Sequence, residues 1–301
     1  MTDTHEGQEW HEANRAAVER ARGSGFLSDV QVYEPHRVGL PKLKPYITEL
    51  WRRREFAAEL SRAEMRSANT RTFFGQIWLV LNPLLLAAVY FVLVFILARR
   101  DDPGEFFAHL TAGIFAFYFV SGAISAGARS VVGSGALIAN MAFPRLLMPL
   151  AAVRTAFFRF LPPIVVYFVI HLAVGLPLSW TQLLAVYFIG CMVLIAGGLA
   201  AVFAALQVYF RDTSSFLPYF LRIWLYLSPI LWTVDQVPAR LAPFMIFNPL
   251  FSALGGYSDL LVRGQVPPPT IWLMAAGWGV ASVIVGALFF MSREREFAVR
   301  L

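Results

Sequence analysis

Six stretches of this 301-residue chain, at about 74–97, 107–128, 148–174, 181–208, 216–234 and 270–291, are almost wholly apolar. An α-helix needs about 20 such residues to cross a hydrocarbon core of about 30 Å, so each stretch is long enough to span a bilayer. The six runs restrict the chain to an all-α integral membrane protein with six transmembrane helices. Its 58% hydrophobic and 15% charged residues agree, since a soluble domain carries charge on about a quarter of its residues. The short alternating segments of an outer-membrane barrel are absent. The first 40 residues are polar and hold no apolar core, so no cleavable signal peptide is expected.

The fifth run does not end as a span should. Arg211-Asp212 leads into the apolar stretch 216–232, which Ser228-Pro229 interrupts. Residues 233–263 are then too apolar for a solvated loop, yet Asp235, Pro238, Arg240, Pro243, Asn248 and Pro249 break them up. Irregular backbone at membrane depth survives only where protein or a water-filled cavity satisfies it. The segment is therefore expected to form a gate, with Ser228, Pro229, Pro238, Asn248, Pro249 and Gly256 among its residues.

Charge sets the expected orientation. Twelve of the 25 Lys and Arg residues precede Thr72, and Arg293, Arg295 and Arg300 close the chain. Short-loop counting then puts both termini in the cytoplasm, with loops 129–145 and 209–215 inside and 98–106, 175–180 and 235–269 outside. The expected organisation is a polar cytosolic extension at 1–44, an amphipathic helix at 45–72, the six-helix membrane domain at 73–291 and a cytosolic tail at 292–301. The amphipathic helix carries Tyr46, Ile47, Leu50 and Trp51 beside Arg52-Arg53-Arg54. It suits the headgroup plane, or packs on its neighbours as an ordinary cytosolic helix. In the loop between the second and third spans, a short helix between Ser134 and Phe143 presents Leu137, Ile138, Met141 and Phe143, either to a partner groove or to its own bundle.

Several chemistries are missing. No Gly-Lys-Ser/Thr phosphate loop exists, and the two lysines, Lys42 and Lys44, follow Pro41 and Leu43. No Asp or Glu lies inside any of the six runs, which argues against a proton-driven carrier. The lone Cys191 excludes an intrachain disulfide or a cysteine metal cluster, and no histidine pair has metalloprotease spacing. No catalytic residue, metal site or cofactor is expected in this chain. A membrane-embedded glycosyl- or lipid-transferring enzyme would need the acidic or metal-ligand residues that are absent.

The polar residues inside the membrane are basic instead. Arg154 and Arg159 stand about 140° apart on a helix and cannot share a face; each either snorkels to the headgroups or faces a cavity. Tyr219, Arg222 and Tyr226 recur at spacings of three and four, which makes one helical stripe. Two phenols and a guanidinium suit a channel for a substrate with sugar rings and phosphate, or an anchor at the membrane interface. Tyr219, Arg222, Tyr226 and Arg159 are the candidate substrate-contacting residues.

Several phrases, taken in order, resemble the membrane subunits of type-2 ABC exporters of lipid-linked polysaccharide, the O-antigen and teichoic-acid permeases. They are Thr72-Phe73-Phe74-Gly75-Gln76-Ile77-Trp78 with Leu81-Asn82-Pro83-Leu84, then Leu137-Ile138 with Phe143-Pro144-Arg145 and Met148-Pro149-Leu150. Phe210-Arg211-Asp212, Leu227-Ser228-Pro229-Ile230 and Asn248-Pro249-Leu250 come after them. The resemblance covers about residues 46–301 and implies a dimer of this chain with two cytosolic ATPase subunits, which bind the ATP and Mg. It implies that Leu137, Ile138, Asn140, Met141, Phe143, Pro144 and Arg145 form a coupling helix docked on that ATPase. It also implies that 236–263 supply paired outward gate helices between spans five and six. The cargo implied is a glycan on undecaprenyl or decaprenyl diphosphate, moved out across a bacterial inner membrane. The long extension and arginine-rich composition are most like actinobacterial members, the mycobacterial galactan exporters among them, which makes galactan the implied glycan. A drug or small-lipid exporter of the same superfamily is the alternative.

Overall fold

The computed structural model describes residues 40–67, 75–98, 102–238 and 240–300. Residues 1–39 of the extension expected at 1–44, the approach to the first span at 68–74, and residues 99–101, 239 and 301 lie outside them. Every regular element among the described residues is helical. They are α1 (Leu43–Arg52), α2 (Arg54–Ser67), α3 (Trp78–Ala98), α4 (Pro103–Gly133), α5 (Gly135–Asn140), α6 (Leu147–Ala173), α7 (Ala185–Tyr209), α8 (Thr213–Leu227), α9 (Ala242–Met245), α10 (Pro249–Ser258), α11 (Pro269–Arg293) and α12 (Phe297–Arg300).

Five helices are long and apolar enough to cross a membrane: α3, α4, α6, α7 and α11, with short extensions. The fifth expected span becomes α8, whose 15 residues reach only about 22 Å. It stops at Ser228-Pro229, where the sequence breaks the apolar run. Together the six apolar helices form an all-α membrane bundle.

α4 is the central element. Of its most apolar stretch 78% is buried, against 11% for the peripheral α3. Its start is fixed locally: Asp102 accepts hydrogen bonds from the Gly104 and Glu105 amides at 3.0 Å, and Pro103 supplies a pre-set φ at the first helical position. α4 packs on α6 and α7, and α7 packs on α11. The α7–α11 approach is close enough to demand glycine. A Cβ at Gly198 would lie 2.0 Å from the Ser282 carbonyl oxygen, and one at Gly286 would lie 2.1 Å from that of Gly198. Small residues let helices meet where lipid tails supply no hydrophobic drive for association.

The bundle has two ends. At the proximal end lie α1, α2, α5 and the C-terminal residues, held by contacts such as Tyr46 to Glu294 and Tyr209 to Glu296. At the distal end the α4 start, the α6–α7 turn and the residues after α10 meet, as in the pairing of Arg263 with Glu105 and the bond from Thr181 to the Gly264 carbonyl.

Two local outcomes differ from sequence expectation. The single amphipathic helix is two helices, because Arg53 leaves helical geometry at φ −96°, ψ 17°. Its side chain bonds Glu49 and reaches the Ala142 carbonyl at 2.7 Å, so the break coincides with a tether to the segment after α5. The segment 236–263, expected as gate helices, gives only a four-residue α9 in its first half, while α10 in its second half is buried from Leu250 to Ser258 and packs against α4, α7 and α11.

Candidate functional site

Three groups of side chains, at the proximal end, along α8 and in the distal broken segment, hold the residues singled out by sequence, except Arg159.

At the proximal end α5 is short. It stops at Asn140, and Met141 is already extended at φ −136°, ψ 135°. Ile138 is buried among Val131, Phe290 and Phe297, with Leu137 and Phe143 partly buried beside them. These apolar residues close on their own bundle. Met141 is 47% exposed and Asn140 is exposed, its amide satisfied within α5 by the Ala136 carbonyl at 2.8 Å. Pro144 is buried, and Arg145 turns inward.

Arg145 meets a residue that no sequence pattern marked. Glu294, buried at the end of α11, accepts hydrogen bonds from the Arg145 amide at 2.5 Å and from the Tyr46 hydroxyl at 2.6 Å, on different oxygens. The Arg145 guanidinium also donates to the Glu294 carbonyl. Burial, and after it the neighbouring carboxylate, push the Tyr46 phenol above its usual range, so it remains the donor. The Phe56 and Phe143 rings pack at 5.1 Å, and Arg154 donates to the Ala58 carbonyl at 3.0 Å. α1, α2, the 141–145 strap and the end of α11 are thus tied at one node. The only sequence signal for Glu294 is an acidic residue just beyond an apolar run.

On the outer side of α1, Leu43, Ile47 and Trp51 are all exposed at intervals of four. This is an apolar stripe turned away from the bundle, the arrangement an interfacial helix needs.

Along α8 the stripe faces out of the chain. Tyr219 is 67% and Tyr226 45% exposed, with the exposed Arg222 between them. Tyr90 of α3 joins them: its hydroxyl shares a hydrogen bond with that of Tyr226 at 2.9 Å, and the rings meet edge to face. Arg159 is not part of this stripe. It is half-buried on α6 and lines a separate cavity of about 210 Å³.

The broken segment is satisfied by protein. The end of α8 leaves carbonyls that no helical amide can reach. Ser228 Oγ donates to the Trp224 carbonyl at 2.8 Å, Trp232 Nε1 to that of Tyr226 at 3.1 Å, and Asn248 Nδ2 to that of Leu227 at 2.9 Å. Asn248 Oδ1 accepts from Trp224 Nε1 at 2.8 Å and caps α10 through the Leu250 amide at 3.0 Å, where Pro249 opens the helix. Gly256 lies inside, with the Phe188 ring filling the space a Cβ would take. Pro238 is exposed.

Beyond α10 a left-handed Gly264 turns the chain. Arg263 spans Glu105 at 2.8 Å and Asp235 at 2.6 Å, joining the distal segment to the start of α4. The Glu105 hydrogen bond and then that of Asp235 hold the Arg263 pKa above its usual value, while burial pulls the other way. These carboxylates are part-exposed, and exposed pairs stabilise little, so the clamp sets position more than stability. Nearby Asp259 is pushed up to about 6, mainly by burial. No group of three metal-ligating side chains occurs among the described residues.

Known proteins resemble this chain in sequence over most of its length. The O-antigen export system permease protein RfbA of Klebsiella pneumoniae is 27% identical over 229 residues, covering 75% of this chain and 87% of the relative. The protein of that name from Myxococcus xanthus is 24% identical over 255 residues, 84% of this chain and 97% of the relative. Residues 57–262, from α2 through α10, match the family described as ABC-2 type transporter, and the chain belongs to that family.

Proposed function

We propose that this chain is the transmembrane subunit of an ATP-driven exporter that moves a polysaccharide, carried on undecaprenyl or decaprenyl diphosphate, across a bacterial inner membrane. Two copies work with two copies of a cytosolic ABC ATPase, which binds ATP and Mg and docks against the proximal end. The termini are cytoplasmic, in keeping with the basic residues concentrated before Thr72 and after Phe290.

The observation that carries this reading is the exposed stripe Tyr219, Arg222, Tyr226 with Tyr90 beside it. Aromatic faces stack on sugar rings and a guanidinium grips phosphate, so the stripe suits a glycan joined to a diphosphate. The relatives named as O-antigen export permeases support the same substrate class. Exposed Met141, Asn140 and the short α5 offer the partner ATPase a surface, and Arg145 and Glu294 connect that surface to the bundle.

The test is depletion of the protein in its own cell, with extraction of polyprenyl-linked glycans. A glycan should accumulate on the cytoplasmic side, and its composition, galactan or another, identifies the cargo. Unchanged levels of every such glycan would end the polysaccharide reading and leave a drug or small-lipid exporter.

A further inference from the structure

The cavity of about 210 Å³ beside Arg159 lies between α2, α3, α4 and α6, with no α8 residue in its lining. Charged, polar and apolar residues share its lining. Toward the proximal end it is lined by Glu64 of α2 and by Trp78 and Leu79 of α3, with Asn82 one turn farther along α3 and Arg159 one turn beyond Thr155 on α6. Toward the distal end α4 contributes Phe115 and α6 contributes Phe160 and Pro163.

Two of the polar side chains have no partner. Neither Arg159 nor Asn82 makes a side-chain hydrogen bond, ion pair or ring contact among the described residues. A half-buried guanidinium facing a cavity in a membrane domain is costly unless something in that cavity binds it. Glu64 is no counter-ion for Arg159: its Oε2 accepts from Thr155 Oγ1 at 3.0 Å at the cavity rim. The depth is also informative. Thr155 touches Ser61 and Glu64, so α2 crosses α6 at that level, and Arg159 is one turn farther in, about 6 Å. With the amphipathic α1–α2 pair suited to the headgroup layer, Arg159 falls where phosphate groups meet hydrocarbon.

We propose that this slot binds the phosphate-ester headgroup of an amphiphile. Arg159 grips the phosphate, the Asn82 amide donates a second hydrogen bond, and Glu64 at the rim accepts from a hydroxyl or amine on the headgroup. The apolar chain lies along Phe115 and Phe160. A membrane glycerophospholipid and a polyprenyl diphosphate both present this chemistry; only the second source rests on the export function proposed above.

The full-length protein, purified in dodecyl maltoside, which carries no phosphate, is irradiated with diazirine-bearing phosphatidylglycerol, polyprenyl diphosphate or diacylglycerol. Labelled peptides are mapped by mass spectrometry. The expected result is labelling of α3 and α6 by at least one phosphate-bearing probe. That labelling falls by about tenfold or more in Arg159→Ala, as for loss of a charge-assisted contact, and by less in Arg159→Lys. Asn82→Leu, which keeps the guanidinium and sits on an exposed stretch of α3, also lowers it, and serves if Arg159→Ala does not fold. Phosphatidylglycerol labelling identifies bulk lipid as the source, and labelling by polyprenyl diphosphate alone identifies the carrier. Labelling that is unchanged in Arg159→Ala and Asn82→Leu, or equal labelling by diacylglycerol, overturns the proposal. Because the readout is binding in purified protein, it succeeds or fails independently of glycan accumulation in depleted cells.

Discussion

Asp259 shows how one half-buried carboxylate makes the distal end sensitive to pH. Its pKa is about 6 because burial penalises the charged form, with Asp235 adding to the rise and Arg263 opposing it. A carboxylate whose folded pKa is raised binds its proton more tightly in the folded than in the unfolded state. Stability therefore falls as pH rises from the ordinary carboxylate range through about 6, and is flat above. The thermal midpoint of the detergent-solubilised protein should increase on acidification from pH 8 to pH 5, and Asp259→Asn should remove part of that slope. The difference in slope between the two proteins is the informative quantity. Asn248 is a second residue whose effect can be stated in advance. It caps α10 and joins Trp224 to the Leu227 carbonyl, three bonds through one amide. Loss of a cap costs about 1 kcal/mol and an unsatisfied buried partner about 1–3 kcal/mol. Asn248→Ala should lower the thermal midpoint by several degrees, whereas an unchanged midpoint would mean that water replaces all three bonds. The exposed Pro238, by contrast, should tolerate substitution.

Elements, more than single residues, decide how the proximal end works. α5 is six residues long and presents little apolar surface, since Ile138 is turned inward. A short helix can transmit force only if the adjoining chain is held in place, and the 141–145 strap is held by Arg53, Phe56, Tyr46 and Glu294. In the ATPase-docked complex, motion of the strap would therefore carry α1, α2 and the end of α11 with it. Glu294→Gln keeps the shape but leaves a single carbonyl oxygen where two carboxylate oxygens accept from Tyr46 and Arg145, losing about 1.5–3 kcal/mol of charge-assisted bonding. The ATPase should still co-purify, while glycan moved per ATP hydrolysed should drop, with Tyr46→Phe showing the same direction more weakly. A normal ratio in both variants would remove the node from the coupling path. Much of this architecture is legible in the sequence and some is not, for physical reasons. Apolar runs longer than about 20 residues give helices whatever their neighbours, so α3, α4, α6, α7 and α11 are readable from the sequence alone. The break at Ser228-Pro229 is equally local. The ends of α5 and the split between α1 and α2 depend on Glu294 and on the Ala142 carbonyl, partners far along the chain, and no periodicity records them.

At the scale of the whole molecule, the exposed α8 stripe needs a second wall. Tyr219, Arg222 and Tyr226 are exposed among the described residues, and the cavity beside Arg159 takes a headgroup and not a chain of sugars. α3 contributes Tyr90 to the same face, and Phe216, Ile223 and Leu227 extend it with exposed apolar surface. A polar stripe flanked by apolar residues suits a contact in which the flanks seal against a second copy and the stripe stays open between them. Isologous pairing of this kind puts the same residue of both copies across the axis. Tyr219→Cys, in a Cys191→Ala background, should therefore join two copies through a flexible bismaleimide in native membranes. Direct oxidation should be inefficient there, because a disulfide needs Cα atoms within about 7 Å and a channel holds the walls farther apart. Val165→Cys, about as exposed at 64% but on α6, should remain monomeric with both reagents. Efficient linkage at Val165 with none at Tyr219 would move the interface to the other side of the bundle. The stripe would then face lipid, and Arg222 would be left as an anchor at the membrane surface.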